Sequence, residues 1–364
     1  MNTVAKRRVG VIYGGRSGEH EVSIVSASSI FANLDRSRYE PVAIRIEKDG
    51  RWMLPDRPPA VLSAADVTTL GSASSDGAPM VEPTVALRGL DVVFPILHGP
   101  YGEDGTVQGL LELANVAYVG AGVLGSAAGM DKDVMKKLFA AAGLAIVKHV
   151  TFLRGEWEKD AKRVTGEIES KLRYPVFVKP ANLGSSVGIS KVRNRKELPP
   201  AIETAAAYDR KIVVEQGVGG KKQKARELEC SVLGNDAPQA STVGEIVPAA
   251  EFYDYNAKYL DEGSQLLIPA KITKKQMKDV QQMAVRAFQA VDCSGLARVD
   301  FLMDPKTEKI YLNEINTMPG FTSISMYPKL WAASGLGYQE LIDRLIQLAL
   351  ERHNEKTRNR YSRN

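Results

Sequence analysis

Short apolar runs alternate with helical patterns through the first third of the chain. Strand-like runs occupy residues 8–13, 39–46 and 91–97, and helical patterns fill the intervals at 22–34 and 106–115. Parallel strands need long crossover connections, and these are usually helices. The alternation therefore predicts a parallel sheet with helices on its faces and with functional loops at the carboxyl ends of its strands.

The pattern changes in the middle of the chain. A charged helix is predicted over residues 156–171, and strands of antiparallel type dominate residues 226–250. Thr273 is followed three residues later by Gln276, a capping-box arrangement that predicts the start of a long helix.

The composition is that of an ordinary globular protein. Of 364 residues, 44% are hydrophobic and 25% are charged, which excludes disordered, collagen-like and coiled-coil chains. The formal charge is +5, but the last fourteen residues hold five basic and two acidic side chains and so contribute +3 of it. The positive excess therefore belongs mainly to a terminal tail, and nucleic-acid binding is not predicted.

Few residues suit disulfides or a histidine-based metal site. The two cysteines, Cys230 and Cys293, match no zinc or disulfide spacing, and the four histidines are scattered. No apolar run reaches the length of a membrane span, and the apolar stretch near the N-terminus is too short for a secretion signal. We therefore expect a cytoplasmic protein whose partners are neither membranes nor nucleic acids.

Two glycine-rich loops are candidates for binding a nucleotide. Residues 120–125 match GxGxxG, but they follow a late strand and lack the acidic residue expected about twenty positions later, so NAD binding is the weaker alternative. The GxxxxGK[ST] signature of P-loop proteins is absent from the sequence. A strand that ends at Lys179 leads into the glycine- and serine-rich loop 181–188, which favours phosphate binding over an ordinary hairpin turn.

The strongest chemical signal is a pair of strands, RVDFLM and YLNEIN, near the C-terminus. A hairpin centred on Thr307 places Asp300 opposite Glu314, and on the same face it places Arg298 opposite Asn316. Two carboxylates that face each other across a ladder repel, so the pair predicts a divalent cation between them, with Asn316 as a third oxygen ligand. The alternative is a solvated face with paired charges, and a slip of one residue would remove the metal argument.

Two further polar loops lie where ligands are expected. Residues 14–23 connect the first strand to its helix, so Glu19 either compensates the helix dipole or binds a substrate amine. Residues 317–325 follow the second strand of the hairpin and combine a Pro-Gly turn with several hydroxyl groups, which suits a small carboxylate.

Seven motifs in order make the chain similar to the D-alanine–D-alanine ligase family of the ATP-grasp superfamily. They run from about Arg8 to Leu350 and are GGRSGEHEVS, LHGPYGEDGT, MDK, VKPANLGSSVGISKV, FYDYNAKY, ARVDF and NEINTMPGFTSIS. The resemblance implies an α/β protein in which an ATP-grasp fold is preceded by a Rossmann-like parallel-sheet domain. It divides the chain into an N-terminal domain, a central ATP-grasp subdomain, a C-terminal catalytic domain and a basic, mobile tail, at residues 1–125, 126–220, 221–352 and 353–364.

The resemblance also implies a reaction. ATP phosphorylates the carboxylate of one D-alanine, the amine of a second D-alanine attacks the acyl phosphate, and phosphate leaves. The product would be D-alanyl-D-alanine for peptidoglycan synthesis. The implied cofactors are ATP and two Mg²⁺ ions, with Mn²⁺ as an alternative. Members of the family are homodimers, so a homodimer is expected on this ground alone.

Three groups of site residues carry over by their positions in the motifs. The metal ligands are Asp300, Glu314 and Asn316, in agreement with the hairpin argument. The nucleotide-binding group contacts the phosphates, adenine and ribose and comprises Lys132, Lys179, Glu215, Gln216, Val218, Glu227, Phe252 and Lys258. The catalytic and substrate-binding group comprises Glu19, Ser185, Tyr259, Arg298, Gly320 and Ser325.

The resemblance gives specific roles to several of these residues. Glu19 would anchor the ammonium group of the first substrate, and His98 would lie near the carboxylate of that substrate. Arg298 and the amide of Gly320 would stabilise the oxyanion of the intermediate. Ser325 would bind the carboxylate of the second substrate.

A loop over the site is also implied. Ser185 and Tyr259, together with Glu19, would close residues 252–263 over the substrates, which keeps water away from the acyl phosphate. Relatives that join D-alanine to D-lactate lack the tyrosine of the AKY motif, so Tyr259 favours an amine as the second substrate, with D-serine remaining an alternative.

Two segments depart from the family pattern. The connection at 219–225 looks longer and more basic than usual, and the basic tail after Leu350 has no counterpart. Other functions that remain open are a different carboxylate–amine ligase, an NAD(P)-dependent oxidoreductase that uses residues 120–125, and a binding module without catalysis.

Overall fold

Three β-sheets, each with helices packed against it, make up the described part of the chain in a computed structural model. The structure describes residues 5–60, 62, 66, 78–184, 187–220, 223–247 and 265–362. Within these ranges no helix is long and apolar enough to cross a membrane.

The first sheet is built from the alternating N-terminal third. Its strands are β1 (Arg7–Gly14), β2 (Tyr39–Ile46), β3 (Trp52–Met53), β4 (Met80–Val81), β5 (Val92–Pro95) and β6 (Ala117–Tyr118). The helices of this region are α1 (His20–Asn33), α2 (Pro83–Ala86), α3 (Thr106–Leu113) and α4 (Val123–Met130). The strand order is β4-β3-β2-β1-β5-β6. Strands β2, β1, β5 and β6 run parallel, which confirms the predicted parallel sheet. Strands β3 and β4 add an antiparallel edge.

The second sheet is antiparallel and has the order β7-β10-β8-β9. Its region comprises α5 (Lys132–Ala141), β7 (His149–Leu153), α6 (Arg154–Lys159), α7 (Ala161–Lys171), β8 (Val176–Pro180), β9 (Ser190–Val192), α8 (Leu198–Ala206) and β10 (Lys211–Gln216). The single helix predicted over residues 156–171 is wrong. The helix is broken at Asp160, whose side chain accepts a hydrogen bond from the amide of Arg163 and caps α7, so two helices form.

The third sheet is also antiparallel and has the order β13-β12-β11-β14-β15. Its region comprises β11 (Arg226–Gly234), β12 (Gln239–Val247), β13 (Gln265–Leu267), α9 (Lys274–Ala290), β14 (Gly295–Met303), β15 (Ile310–Asn316), α10 (Met326–Ala333) and α11 (Tyr338–Lys356). The predicted capping box at the start of α9 is confirmed, because the Thr273 hydroxyl accepts from the Gln276 amide and the Gln276 side chain accepts from the Thr273 amide.

The C-terminal helices complete the hydrophobic core of the first sheet. Phe321, Trp331 and Leu345 belong to the same buried cluster as Ile30 of α1 and Phe94 of β5. The two ends of the chain are therefore joined by apolar burial, the dominant favourable contribution to folding.

Helix α11 extends past residue 352 and ends at Lys356. The Lys356 ammonium forms an ion pair with Glu112 of α3. The Arg352 guanidinium lies 4.4 Å from the centre of the Tyr118 ring and donates to the Tyr118 carbonyl at 3.2 Å. The tail was predicted to begin at residue 353, so its first residues are helical, and Lys356 holds them against α3.

Candidate active site

The polar ends of β14 and β15 pair in the predicted register. Asp300 lies opposite Glu314, and Arg298 lies opposite Asn316. All four side chains are partly exposed, whereas Val299 between them faces the core and is fully buried. The prediction that these polar groups share one face of the sheet is therefore confirmed.

The turn-proximal half of the hairpin departs from the predicted symmetry about Thr307. Phe301 pairs with Leu312, so Asn313 is an additional residue on β15 and forms a bulge. The centre predicted for the hairpin is wrong by half a residue, and the bulge at Asn313 restores the expected pairing at the site. Bulges commonly redirect side chains near functional sites.

A third carboxylate, which the sequence analysis missed, continues the row across the sheet. Glu229 on β11 lies opposite Asp300, so Glu229, Asp300 and Glu314 follow one another on three adjacent strands. The available signal was the RELEC segment, in which Glu227 and Glu229 are two residues apart and share a face.

Arg298 lies within this row. Its Nε and Nη2 donate to the two oxygens of Asp300, each at 2.7 Å, and Nε lies 3.1 Å from Glu229. Burial opposes the charge of Arg298, but Asp300 and Glu229 raise its pKa and keep it a cation. Three carboxylates against one guanidinium leave the row with two negative charges, so it suits a ligand of positive charge.

A cavity of about 190 Å³ opens between the second and third sheets. The predicted residues that line it are Lys179, Glu215, Gln216, Val218, Glu227, Arg298, Asp300 and Glu314. The described part of the unusual connection 219–225 also lines it, through Gly220, Gln223, Lys224 and Ala225. We call this space the nucleotide cavity.

Buried ion pairs form one wall of the nucleotide cavity. The two oxygens of Glu215 lie 2.9 Å from Lys136 Nζ and 2.7 Å from Lys179 Nζ. Burial opposes the charge of Glu215, but the two lysines outweigh it and hold the pKa of this carboxyl well below its usual range. Burial likewise opposes the charge of Lys179, and Glu215 and Glu314 raise its pKa. Glu215 and Lys179 therefore stay ionised at neutral pH.

A second, smaller cavity of about 90 Å³ lies toward the first sheet. Its predicted lining residues are Glu19, His98, Lys132, Arg298, Glu314, Asn316 and Gly320. We call it the substrate cavity. Arg298 and Glu314 line both cavities, so a group bound in one lies next to a group bound in the other.

Glu103, which the sequence analysis also missed, lies beside His98 in the substrate cavity. The carbonyl of Met318 is 3.1 Å from His98 Nδ1, so this nitrogen carries a proton. A Glu103 oxygen lies 3.8 Å from Nδ1, and the other accepts from the Gly99 amide at 2.9 Å. Burial and the nearby Glu19 raise the pKa of Glu103. The signal for this residue was its place in the LHGPYGEDGT motif.

Lys132 connects helix α5 to the glycine-rich loop. Asp131 caps the helix by accepting from the amides of Asp133 and Val134, and Lys132 Nζ donates to the Leu183 carbonyl at 2.7 Å. Burial lowers the pKa of Lys132, although Glu314 opposes this effect. The lysine of the MDK motif thus lies beside the row of carboxylates.

One described site residue, Ser325, is not brought to either cavity. Ser325 lines neither, and its hydroxyl bonds to the amide and hydroxyl of Thr322 at 3.0 and 2.8 Å. The remaining predicted residues lie outside the described part of the chain: Ser185, Phe252, Lys258 and Tyr259.

The GxGxxG segment at residues 120–125 lines neither cavity. A Cβ on Gly120 would lie 2.9 Å from the end of the Met318 side chain, and one on Gly125 would lie 2.7 Å from the Asp292 carbonyl. These glycines therefore permit close contact between the first and third regions of the chain. A larger, open groove of about 1180 Å³ along α9 is lined by no predicted site residue.

The oxygen ligands of the third sheet suit a magnesium ion. Among the described residues no group of three His, Cys, Asp or Glu side chains forms a metal site. The predicted set, Asp300, Glu314 and Asn316, contains two carboxylates and an amide, which Mg²⁺ accepts when nucleotide phosphates and water complete its shell. Arg298 neutralises part of this row of like charges, and a metal ion would neutralise more of it. The residues present therefore fit the metal that the resemblance implies.

A cleft between two antiparallel sheets, with lysines on one side and carboxylates on the other, and the match to solved structures define an α/β enzyme of the ATP-grasp fold. The solved D-alanine–D-alanine ligase from Coxiella burnetii has a TM-score of 0.81 and 38% identity, covering 98% of this chain and 97% of its own. The VanG D-Ala:D-Ser ligase from Enterococcus faecalis has a TM-score of 0.82 and 36% identity, covering 95% and 100%.

Sequence comparisons identify the family. The models for the D-ala D-ala ligase N-terminus and C-terminus match residues 8–121 and 138–347. D-alanine–D-alanine ligases of Heliobacterium modesticaldum and Natranaerobius thermophilus are 52% and 50% identical, over 97% of this chain in each case and 97% and 98% of the relatives. This chain belongs to the D-alanine–D-alanine ligase family.

Proposed function

We propose that this protein joins two D-alanines to D-alanyl-D-alanine at the expense of ATP, through a D-alanyl phosphate, for cell-wall synthesis in the cytoplasm. The observation that carries the proposal is that the nucleotide and substrate cavities share Arg298 and Glu314. A phosphoryl group bound in the nucleotide cavity and a carboxylate bound in the substrate cavity would then be neighbours. Positioning of this kind is a large part of catalysis when all the reacting groups are anionic.

The nucleotide cavity would hold ATP with its adenine toward Glu215, Gln216 and Val218 and its ribose toward Glu227. Asp300, Glu314 and Asn316 would hold Mg²⁺, which when bound neutralises the phosphates and polarises the transferred phosphoryl group. Lys132 and Lys179 have buried ammonium groups beside the row of carboxylates and would contact the phosphates.

The substrate cavity would hold the first D-alanine with its ammonium group at Glu19. An oxygen of Glu19 lies close to the backbone of both Gly99 and Gly184, since a Cβ built on either glycine would be 3.2 or 3.3 Å from it. The glycine-rich loop of the second sheet therefore reaches the carboxylate of the first region. Arg298 and the Gly320 amide would stabilise the oxyanion.

The roles given to the remaining residues rest on the motifs alone. Lys258 would reach the transferred phosphoryl group, and Ser185, Phe252 and Tyr259 would help to cover the site. Ser325 would bind the second carboxylate by donating its hydroxyl proton, while its oxygen accepts hydrogen bonds from Thr322. A homodimer is proposed from the family, and sedimentation of the purified protein measures it.

The proposal is tested by ATP-dependent phosphate release with D-alanine, D-serine and D-lactate supplied in parallel. We expect release with D-alanine alone, and identification of D-alanyl-D-alanine as the product. D-serine as the second substrate is a second candidate, because the VanG structure matches this chain as well as the Coxiella structure does. Absence of ADP formation with D-alanine contradicts the proposal, and NAD(P)H binding would favour the oxidoreductase alternative.

A further inference from the structure

One buried lysine has no role in the reaction proposed above. Lys136 lies on α5, is fully buried, and lines neither cavity. Its Nζ lies 2.9 Å from Glu215 Oε1 on β10 and donates to the carbonyl of Asn313, the bulge residue of β15, at 3.1 Å. One ammonium group thus joins a helix, the second sheet and the third sheet.

Neutralising Glu215 does not require Lys136. Lys179 already lies 2.7 Å from the other oxygen of the same carboxylate, and burying an additional ammonium group is unfavourable unless it is well paired. Because the two lysines hold different oxygens, the carboxylate has one orientation instead of being free to rotate about its terminal torsion. The second lysine therefore fixes geometry.

The third contact of Lys136 fixes the same carboxylate relative to the metal-binding strand. Asn313 is the residue immediately before Glu314, and its extra position in β15 gives Glu314 its pairing with Asp300. The Asn313 carbonyl and the Glu215 carboxylate share one donor, so the adenine edge on β10 and the carboxylates on β14 and β15 are held at a set separation.

We infer that Lys136 is a positioning residue for the nucleotide, which acts by fixing Glu215 relative to the bulge at Asn313. This inference rests on the proposed function, because it assigns ATP to the nucleotide cavity. Lys136 does not touch the ligand. It sets the orientation of the carboxylate at the adenine end and its distance from the ligands that would hold the metal at the phosphate end.

The test compares Lys136→Met with Lys137→Met, which removes the next lysine on the same helix. The Lys137 side chain is 70% exposed and pairs with Asp133 at 2.7 Å, so it matches Lys136 in charge but not in position. The dissociation constant of ADP, measured by calorimetry without D-alanine, should rise about tenfold for Lys136→Met and less than about twofold for Lys137→Met. The KM for D-alanine should change less than about twofold in both.

A double-mutant cycle separates positioning from general loss of structure. Glu215→Gln removes the carboxylate through which Lys136 acts, so adding Lys136→Met to it should weaken ADP binding by less than about threefold. Equal weakening in both backgrounds overturns the inference, because the effect would then not pass through Glu215. Lys136→Gln, which keeps a polar side chain but is shorter and lacks the ammonium group that holds both acceptors, is measured alongside in case the methionine variant fails to fold, and an unchanged ADP affinity in it also overturns the inference.

Failure of this inference is distinguishable from failure of the proposed function. If the wild-type protein binds ADP and the Lys136 variants bind it equally well, the positioning role is wrong and the ligase proposal stands. If the wild-type protein binds no ADP, the proposed function is wrong and this inference with it.

Discussion

The two cavities are built in different ways. The wall of the nucleotide cavity consists of regular strands whose side chains are fixed by ion pairs, such as Glu215 between Lys136 and Lys179. The substrate cavity combines the ends of β14 and β15 with loop and helix residues from distant parts of the chain, including Glu19 and Gly320. Secondary structure thus organises one cavity, and contacts between regions organise the other.

The contacts that organise the substrate cavity can be named. His98 Nδ1 lies 3.1 Å from the Met318 carbonyl, and the Phe321 amide donates to the Ser26 hydroxyl at 3.4 Å. Phe321 also packs against Phe94 in the shared core, with ring centres 5.7 Å apart. The substrate cavity therefore forms only when the C-terminal region docks on the first sheet.

The largest effect is expected where the two cavities meet. Glu314→Gln removes a negative charge from between the two cavities, and Asp300→Asn removes one from the residue that pairs with Glu314, so turnover should fall at least about a hundredfold with saturating ATP and D-alanine. Steady-state phosphate release measures this loss, and removal of Mg²⁺ with EDTA should produce it in the wild-type protein.

Circular dichroism and thermal unfolding serve as the controls for these two variants. Glu314→Gln relieves repulsion between facing carboxylates, and Asp300→Asn leaves Arg298 paired with Glu229, so the fold should survive. Near-normal rates in either variant would refute the metal assignment and, with it, the view that the cavities meet at a metal.

Substitutions on either side of the wall should separate the two cavities kinetically. Glu227→Gln should raise the KM for ATP about tenfold, and Glu19→Gln should raise the KM for D-alanine by about ten- to a hundredfold, because each removes a hydrogen bond to a charged or polar ligand group. Each variant is the control for the other. If both variants raise both KM values equally, the cavities do not bind different substrates.

The pH dependence of stability should have opposite signs in the two cavities. The two lysines hold the pKa of Glu215 low. Its contribution to the free energy of unfolding is therefore present above the ordinary pKa of 4.5 and is lost as the pH falls below that value. Burial is the main cause that raises the pKa of Glu103. Its contribution to the free energy of unfolding is therefore present below pH 4.5 and is lost as the pH rises through the raised pKa. Burial alone would lower the pKa of His98, but Glu103 and Glu19 raise it above 6.5. The loss of stability with rising pH therefore extends to higher pH.

Urea unfolding over a range of pH measures how the free energy of unfolding changes on the acid and the alkaline side. Glu103→Gln keeps an oxygen for the Gly99 amide and should flatten the decline on the alkaline side, while leaving the acid side unchanged. Glu215→Gln should instead flatten the decline in the free energy of unfolding on the acid side. The greatest stability of this variant should be lower than that of the wild-type protein. The assignment fails if Glu103→Gln has the pH profile of the wild-type protein.

The sequence was sufficient for much of the nucleotide cavity because its signals are local. Asp300 and Glu314 belong to one hairpin, so their pairing was predictable from a turn and two short strands. The bulge at Asn313 could not be predicted in this way, because it arises from the requirement that both Leu312 and Ile315 face the core. Glu229 was missed because the pairing of β11 with β14 joins residues about seventy positions apart, and no turn fixes that register.

The substrate cavity was less accessible from the sequence. The residue pattern alone left Glu19 divided between a helix-capping role and amine binding, and the family motifs decided between them. Glu103 became noticeable only once the fold placed it beside His98. The hydroxyl of Ser325 is bonded to Thr322, which no spacing rule indicates. Contacts between regions are the part of a structure that local patterns do not encode.

The smallest effect is expected at the rim of the nucleotide cavity. Lys224 lies in the basic connection 219–225, lines this cavity and is exposed, so its interaction with ATP phosphates would be screened by water and salt. Lys224→Met should raise the KM for ATP about twofold at low ionic strength, with no effect at high ionic strength or on the KM for D-alanine. Lys162→Met, which removes an exposed lysine of α7 outside both cavities, is the matched control. An effect of Lys224→Met that is independent of salt would show that the connection shapes the cavity and does more than add charge to its rim.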